Sequence, residues 1–256
     1  LNWYSPSGTL KTKSCQLLLE RLADQALLVL PKKANTKRLT PDSRPKLSPR
    51  TAEPPPIIST LKLTTVKLVT VSEKAEISLW NEYVERYHPL GHRRPVGNWL
   101  RYFIYADRER VGCLMISGAA KALHHRDSWI GWSATYRQRN LPWVVNNSRY
   151  LLFPWVQIPH LASHVLGQLV RRVAQDWEDC WGYRPVLLET FVDPLYYQGT
   201  CYRAAGWEVL GLTRGEGTIR PGKSYQTSPK TILAKPLNKD FRALLCTKEL
   251  SGRIIE

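Results

Sequence analysis

"RPVLLETFVDPLYYQGTCYRAAGWEVLGLT", residues 184–213, decides how the rest of the chain is read. An apolar run enters at Val186 and is interrupted by two acids, Glu189 and Asp193, before Pro194 stops it. "QGTCYRAAG" then reads as a short helix closed by Gly206, and "WEVLGLT" as a strand. A strand, a short helix, a glycine–aromatic turn and a second strand place a sheet at the end of the chain. Glu189 and Asp193 lie four positions apart, so on one regular strand they share a face at a separation of about 13 Å.

Upstream, "HLASHVLGQLVRRVAQDWEDCW" (160–181) has the strongest helical periodicity in the sequence: Leu161, Val165, Leu169, Val173 and Trp177 recur every four residues. "LRYFIYADRERVGCLMISGAA" reads as a hairpin around a polar turn, and "SEKAEISLWNEYVERYHPL" as a helix reaching Tyr87. "LKLTTVKLVTV" (61–71), "YLLFPWVQIP" and "KTILAKPL" add strands. The expected class is α+β, with helices on a mixed sheet. Three regions are expected. Residues 1–33 form a unit with a helix from Leu10 to Ala23 and a strand "ALLVLP", like the second half of a winged helix whose first half would lie before Leu1. Residues 34–56 form a basic, proline-rich tether. Residues 57–256 form the main domain, with a helical or irregular insertion at about 119–150.

The 256 residues carry a net charge of +16, which favours a polyanion as partner. No run of about 18 apolar residues, signal peptide or lipidation motif is present, so neither a membrane span nor export is expected. The five cysteines are widely spaced and form no C-x-x-C pair, which argues against a zinc knuckle and fits a reducing cytoplasm.

Several side chains are candidates for chemistry. Glu189 and Asp193 could hold Mg²⁺ or supply a general base, with Tyr202 or Tyr197 as nucleophile toward a phosphate. The structural alternative pairs Glu189 with Arg149 or Arg203 and uses Asp193 as a helix cap. Asn146, Asn147 and Arg149, read as preceding a strand, suit base edges and phosphates. Arg93 and Arg94, Arg137 and Arg139, and Trp129 and Trp132 combine basic loops with interleaved aromatics, as single-stranded or distorted nucleic acid requires. Lys11, Lys13, Lys32, Lys33 and Arg203 extend the basic set. His160 and His164 sit at i and i+4, yet "HLASH" lacks the glutamate of a zinc protease. Cys201 stands near a helix start, where a thiolate would be stabilised.

The hairpin, the long helix and "CYRAAGWEVLGLT" resemble the GCN5-related acetyltransferase fold over about residues 61–236. That resemblance implies a glycine-rich cradle for coenzyme A before the long helix. The stretch here is "IPHLASHVLG", with no glycine before Gly167, so coenzyme A is not expected. The runs "HPLGHRRPVG", "RYFIYADRERVGCLMIS", "RDSWIGWSATYRQRNLPWVVNNSRYLLFPWVQIPHLASHVLG" and "GYRPVLLETFVDPLYYQGTCYRAAGW" resemble the Druantia protein A family. The resemblance covers roughly residues 76–245, and the 10–33 region is similar to that family's winged N-terminal part. One departure is Lys230-Thr231, where the family often has Lys-Asp. The resemblance implies a bacterial DNA-binding protein of phage defence or mobile elements, with cleavage or rejoining of DNA as one reading and non-catalytic recognition for a partner enzyme as another. An acyltransferase is a third. The implied partners are single- or double-stranded DNA and other defence or transposition proteins, with room for a homo-oligomer.

Overall fold

The computed structural model describes residues 12–28, 44–52, 56–60, 62–215 and 227–247. Seven strands form one sheet: β1 (Val66–Thr70), β2 (Trp99–Ala106), β3 (Glu109–Gly118), β4 (Val144–Leu152), β5 (Leu187–Val192), β6 (Glu208–Leu212) and β7 (Thr231–Pro236). Their order is β1-β2-β3-β4-β5-β7-β6, and every neighbouring pair is antiparallel except β4 and β5. The class is the expected one: α+β on a mixed sheet.

The helices are α1 (Thr12–Asp24), α2 (Lys74–Tyr87), α3 (His124–Ile130), α4 (Ala134–Asn140), α5 (Leu161–Trp181), α6 (Thr200–Ala204) and α7 (Phe241–Leu245). Helix α5 buries the stripe read from its sequence: Leu161, Val165, Leu166, Leu169, Val173 and Trp177. These pack with Leu114, Ile116, Val145 and Leu188 of β3, β4 and β5. The opposite face of the sheet receives α2, whose Leu79, Trp80 and Val84 lie with Phe103, Met115, Leu151 and Phe153. Trp80 is fully buried and its indole N–H donates to the Tyr102 carbonyl at 3.0 Å, so its polar atom is satisfied inside the core.

The parallel pair is short. β4 and β5 are in register only from Val144–Leu187 to Asn147–Thr190. The β3–β4 register then shifts at Met115/Ile116. Beyond that shift, the rings of Tyr150 and Tyr202 meet edge to face at 6.3 Å. Tyr150 donates its hydroxyl to the Ala162 carbonyl at 2.8 Å, joining β4 to the first turn of α5.

The structure corrects three expectations and leaves a fourth, the winged-helix-like unit, without support among the described residues. The first strand starts at Val66, after a 3₁₀ turn at Leu63–Thr65, not at Leu61. β4 begins at Val144, so the insertion ends before it, and Asn146, Asn147 and Arg149 lie within the strand. The second half of the supposed tether is docked on α2: Ser48 donates its backbone N–H and its hydroxyl to Glu82, and the Tyr87 hydroxyl donates to the Thr51 carbonyl at 2.5 Å. Ile58 then pairs with Val156. In the N-terminal unit, helix α1 matches, but its Leu17 and Leu18 are exposed, and no winged helix is seen among the described residues. The strand "ALLVLP" lies largely outside those residues.

Leu169 is fully buried at the centre of the α5 stripe. Leu169→Ala is expected to cost about 2–5 kcal/mol, read as a lower urea midpoint with an unchanged slope.

Candidate functional site

Glu189 points into the protein from β5 and meets Arg126 of α3. The guanidinium donates Nη1 to Glu189 Oε2 at 2.7 Å and to the Ala120 carbonyl at 2.8 Å. Glu189 Oε1 accepts the Ala120 N–H at 2.7 Å. Both side chains of the pair are fully buried. Arg126 turns its remaining nitrogens to Asp127 Oδ1, at 2.9 Å from Nε and 2.8 Å from Nη2, and lies over the Trp132 ring at 5.5 Å. Burial pushes the Glu189 carboxyl above its usual range, against the opposing pull of Arg126 and the Ala120 amide. The partner of Glu189 is therefore Arg126, neither Arg149 nor Arg203.

Asp193 ends the same strand at the surface. Its Oδ1 accepts the Leu195 N–H at 3.1 Å and its Oδ2 accepts the Ser228 hydroxyl. The Ser228 hydrogen bond holds its carboxyl below the usual range. Tyr202 lies on the other face of the sheet from Glu189, because it bonds to Asn147, the register partner of Thr190, and successive strand residues face opposite ways. Its hydroxyl accepts the Asn147 amide at 3.1 Å, and burial raises the phenol well above its usual range. Glu189, Asp193 and Tyr202 thus do not converge on one reacting centre. The Mg²⁺ site expected of Glu189 and Asp193 is not formed by these two side chains, and no group of three His, Cys, Asp or Glu among the described residues could hold a metal ion. His164 instead shares a hydrogen bond with Gln168 at 3.0 Å. Burial raises the Cys201 thiol rather than lowering it.

What the opening stretch builds is a presented loop. The Tyr196 and Tyr197 amides both donate to the Asp193 carbonyl, at 3.1 and 2.9 Å. Leu195, Tyr196 and Tyr197 are left exposed, at 74%, 76% and 57%. Arg203 and Tyr197 border a hollow of about 280 Å³ beside them.

A cleft of about 850 Å³ opens between α3 and the ends of β5, β6 and β7. Its polar lining includes His124, His125, Arg137, Arg214 and Lys230, with Trp132 in the wall. Asp127 is the carboxylate in that lining, and it is already engaged by Arg126, by Arg137 at 3.2 Å and by the Trp132 indole at 3.1 Å. Gly211 shapes one wall: it has φ +144°, and a Cβ there would stand 2.7 Å from the His125 ring. His124, His125, Arg214 and Lys230 escaped the sequence reading. The pair His124-His125 directly before Arg126-Asp127 was the available signal.

The other predicted contacts divide. Arg137 lines the cleft. Arg139 is exposed on α4. Trp132 is buried, and Trp129 stacks on Phe241 at 4.9 Å with Arg242 over it at 4.5 Å, so neither presents a free face for a base. Asn147 donates its amide nitrogen to Tyr202, and Asn146 and Asn147 each keep a buried amide oxygen without a partner. Arg93 and Arg94 are exposed on the loop after α2, and Arg149 of β4 donates to the Gly91 carbonyl at 3.0 Å and so holds that loop. Lys11, Lys32 and Lys33 lie outside the described residues, as does the Lys13 side chain.

A family model described as Druantia protein DruA matches residues 21–231. The chain belongs to the Druantia protein DruA family. No curated protein matches it. Among solved structures it is similar to AAC(6')-Ib in complex with ribostamycin and coenzyme A, at 14% identity over 72% of this chain and 99% of that one, with a TM-score of 0.45. It is also similar to RimL, a ribosomal L7/L12 alpha-N-protein acetyltransferase, at 13% identity over 68% and 94%, with a TM-score of 0.42. An acetyltransferase of Bacillus subtilis in complex with CoA matches at 12% identity over 68% and 99%, with a TM-score of 0.36. The first and third of these structures hold coenzyme A. In this member of the family, residues 153–160 join β4 to α5 as "FPWVQIPH", without glycine. The Trp155 carbonyl and the Gln157 N–H are both taken by Ile58, each at 2.9 Å. These residues do not provide the open, glycine-flanked backbone that a pyrophosphate cradle needs.

Two predictions follow from this geometry. Glu189→Ala removes the buried one of the two carboxylates that pair with Arg126 and leaves the Ala120 N–H without its acceptor, and is expected to cost about 3–5 kcal/mol, whereas Glu189→Leu combined with Arg126→Met restores most of the loss in denaturant titrations. His88 and His92 are both held down to about 4, from 6.5, by burial first and then by the positive charge of Arg149 beside His88 and Arg101 beside His92. The unfolded chain therefore binds more protons between these values, so stability is expected to fall as pH drops from about 6.5 to about 4. Urea midpoints measured across that range check this, and His92→Asn should flatten the profile.

Proposed function

We propose that this chain is a DNA-recognition component of a phage-defence or mobile-element system, and that nucleic acid lies across the α3 cleft. One observation carries the reading: the lining of the large cleft holds Arg214, Lys230 and two histidines, while its carboxylate, Asp127, is already engaged by both Arg126 and Arg137. The cleft lining therefore carries more basic than acidic side chains, on a chain of net charge +16. The exposed tyrosines at the end of β5 add flat aromatic surface beside Arg203, as base stacking requires. Membership of the Druantia protein DruA family supports the setting.

Metal-assisted cleavage loses its support within this reading, because Glu189 is locked to Arg126 and Tyr202 sits on the other face of the sheet. No reaction is assigned to these residues.

The test is fluorescence anisotropy with labelled single- and double-stranded DNA over a range of NaCl concentrations. Wild type is expected to bind with log Kd linear in log salt, at a slope of about 0.9 for each phosphate neutralised on a duplex. Arg214→Ala with Lys230→Ala should reduce the slope by about 2 and weaken binding on all sequences alike. Denaturing gels with and without Mg²⁺ should show intact DNA. Absence of salt-dependent binding overturns the proposal. Saturable coenzyme A binding by calorimetry, with none for DNA, would establish the acyltransferase reading instead.

A further inference from the structure

The face of the sheet that carries α2 also carries a row of charge that no acid among the described residues pairs with. Arg101 of β2 stands opposite Met115 of β3, and Met115 stands opposite Arg149 of β4. Residues opposite one another across strands project to the same side, so both guanidinium groups rise on one face, with Cα atoms about 10 Å apart. Arg101 is only 8% exposed, and its Nε is buried without a hydrogen-bond partner. Its guanidinium lies against the Trp80 and Trp99 rings, at 5.4 and 5.6 Å, which fixes its position without cancelling its charge.

Among the described residues, no carboxylate pairs with Arg101 or Arg149. Glu85 of α2 is the acid near this place, and it accepts the His92 N–H at 2.8 Å and pairs with Arg44 at 3.7 Å. The loop above the row adds Arg93 and Arg94, both exposed, and His92, whose Nε2 is buried and unpartnered. Arg94 lowers the Arg101 guanidinium and Arg93 that of Arg149, in each case after burial, so the loop and the row share one positive field. A buried cation with an idle donor is costly and persists where an anion completes it.

We propose that the row Arg101–Met115–Arg149, with Arg93 and Arg94 above it, is a phosphate-binding site that fixes one backbone phosphate of bound nucleic acid. The identity of the ligand rests on the DNA reading given above. The site itself rests on the idle Nε of buried Arg101 and on an Arg149 guanidinium bonded to the Gly91 and Ser148 carbonyls, with no carboxylate partner for either among the described residues. It takes a tetrahedral oxyanion, because Arg101 and Arg149 approach from two strands while the loop arginines close from above.

Two probes separate the site from that reading. The first is a 5′-fluorescein-labelled 30-base-pair duplex, titrated by anisotropy at several NaCl concentrations. Arg101→Met is expected to weaken binding about tenfold or more and to lower the salt slope by about 1. Its melting temperature should equal or exceed that of wild type, because the change removes an unpaired buried charge. Arg101→Lys should recover part of the affinity. The second probe is inorganic phosphate, which should raise the melting temperature of wild type more than that of Arg101→Met. A phosphate effect with no DNA binding would leave the site standing and remove the nucleic acid. Wild-type DNA affinity in Arg101→Met, with an equal phosphate response, overturns the site. If Arg101→Met fails to fold, Arg101 is structural, and Arg93→Ala with Arg94→Ala decides: reduced binding at an unchanged melting temperature supports the site, and unchanged binding overturns it.

Discussion

The candidate site depends on one buried ion pair, Arg126–Glu189. Placing two opposite charges in a dry interior costs several kcal/mol for each ion, which only excellent geometry offsets. Here every strong donor and acceptor of the pair has a partner, including the Ala120 backbone on both sides. The pair bolts α3 to β5, and α3 forms one wall of the large cleft. The same arginine occupies Asp127, and this leaves the cleft basic. A bond that looks like stability alone therefore also sets the electrostatics of the surface beside it.

The two faces of the sheet divide the labour. The α5 face is apolar and close-packed, and its stripe supplies most of the cohesion. The α2 and α3 face is where charged groups enter the interior: Glu82, Arg101, Arg126 and Glu189 are all buried. Glu82 and the Arg126–Glu189 pair are fully answered by neighbours. Arg101 has no carboxylate partner among the described residues, and its Nε is buried without a hydrogen bond.

Periodicity made much of the fold legible. The α5 stripe, the β2–β3 hairpin and the β5–α6–β6 sequence each stood out because local pattern and tertiary environment agree. The start of β4 did not. Asn146 and Asn147 have low strand propensity, and their conformation is imposed by β3 on one side and β5 on the other. The docked segment around Thr51 was hidden for a similar reason, since its polar residues pack by bonding to Glu82, Arg86 and Tyr87. At the site, Glu189 was recognised as exceptional, but its partner lies 63 residues away on a helix the sequence marked only as an insertion. Arg101 carried a signal that the sequence reading did not use: a lone charge inside "WLRYFIYA", a strand otherwise apolar.

The Asp193–Ser228 hydrogen bond carries the β5–β7 pairing past its last register pair, Val192–Thr231, and links two surface features by their side chains. Asp193 anchors the turn that displays Tyr196 and Tyr197, and Ser228 lies two residues before Lys230 on the cleft rim. The aromatic display and the rim cation are therefore tied at their base like two arms of one lever. Under the proposed function, a ligand held by Lys230 would load the turn that displays the tyrosines, so the two contacts would not be made independently.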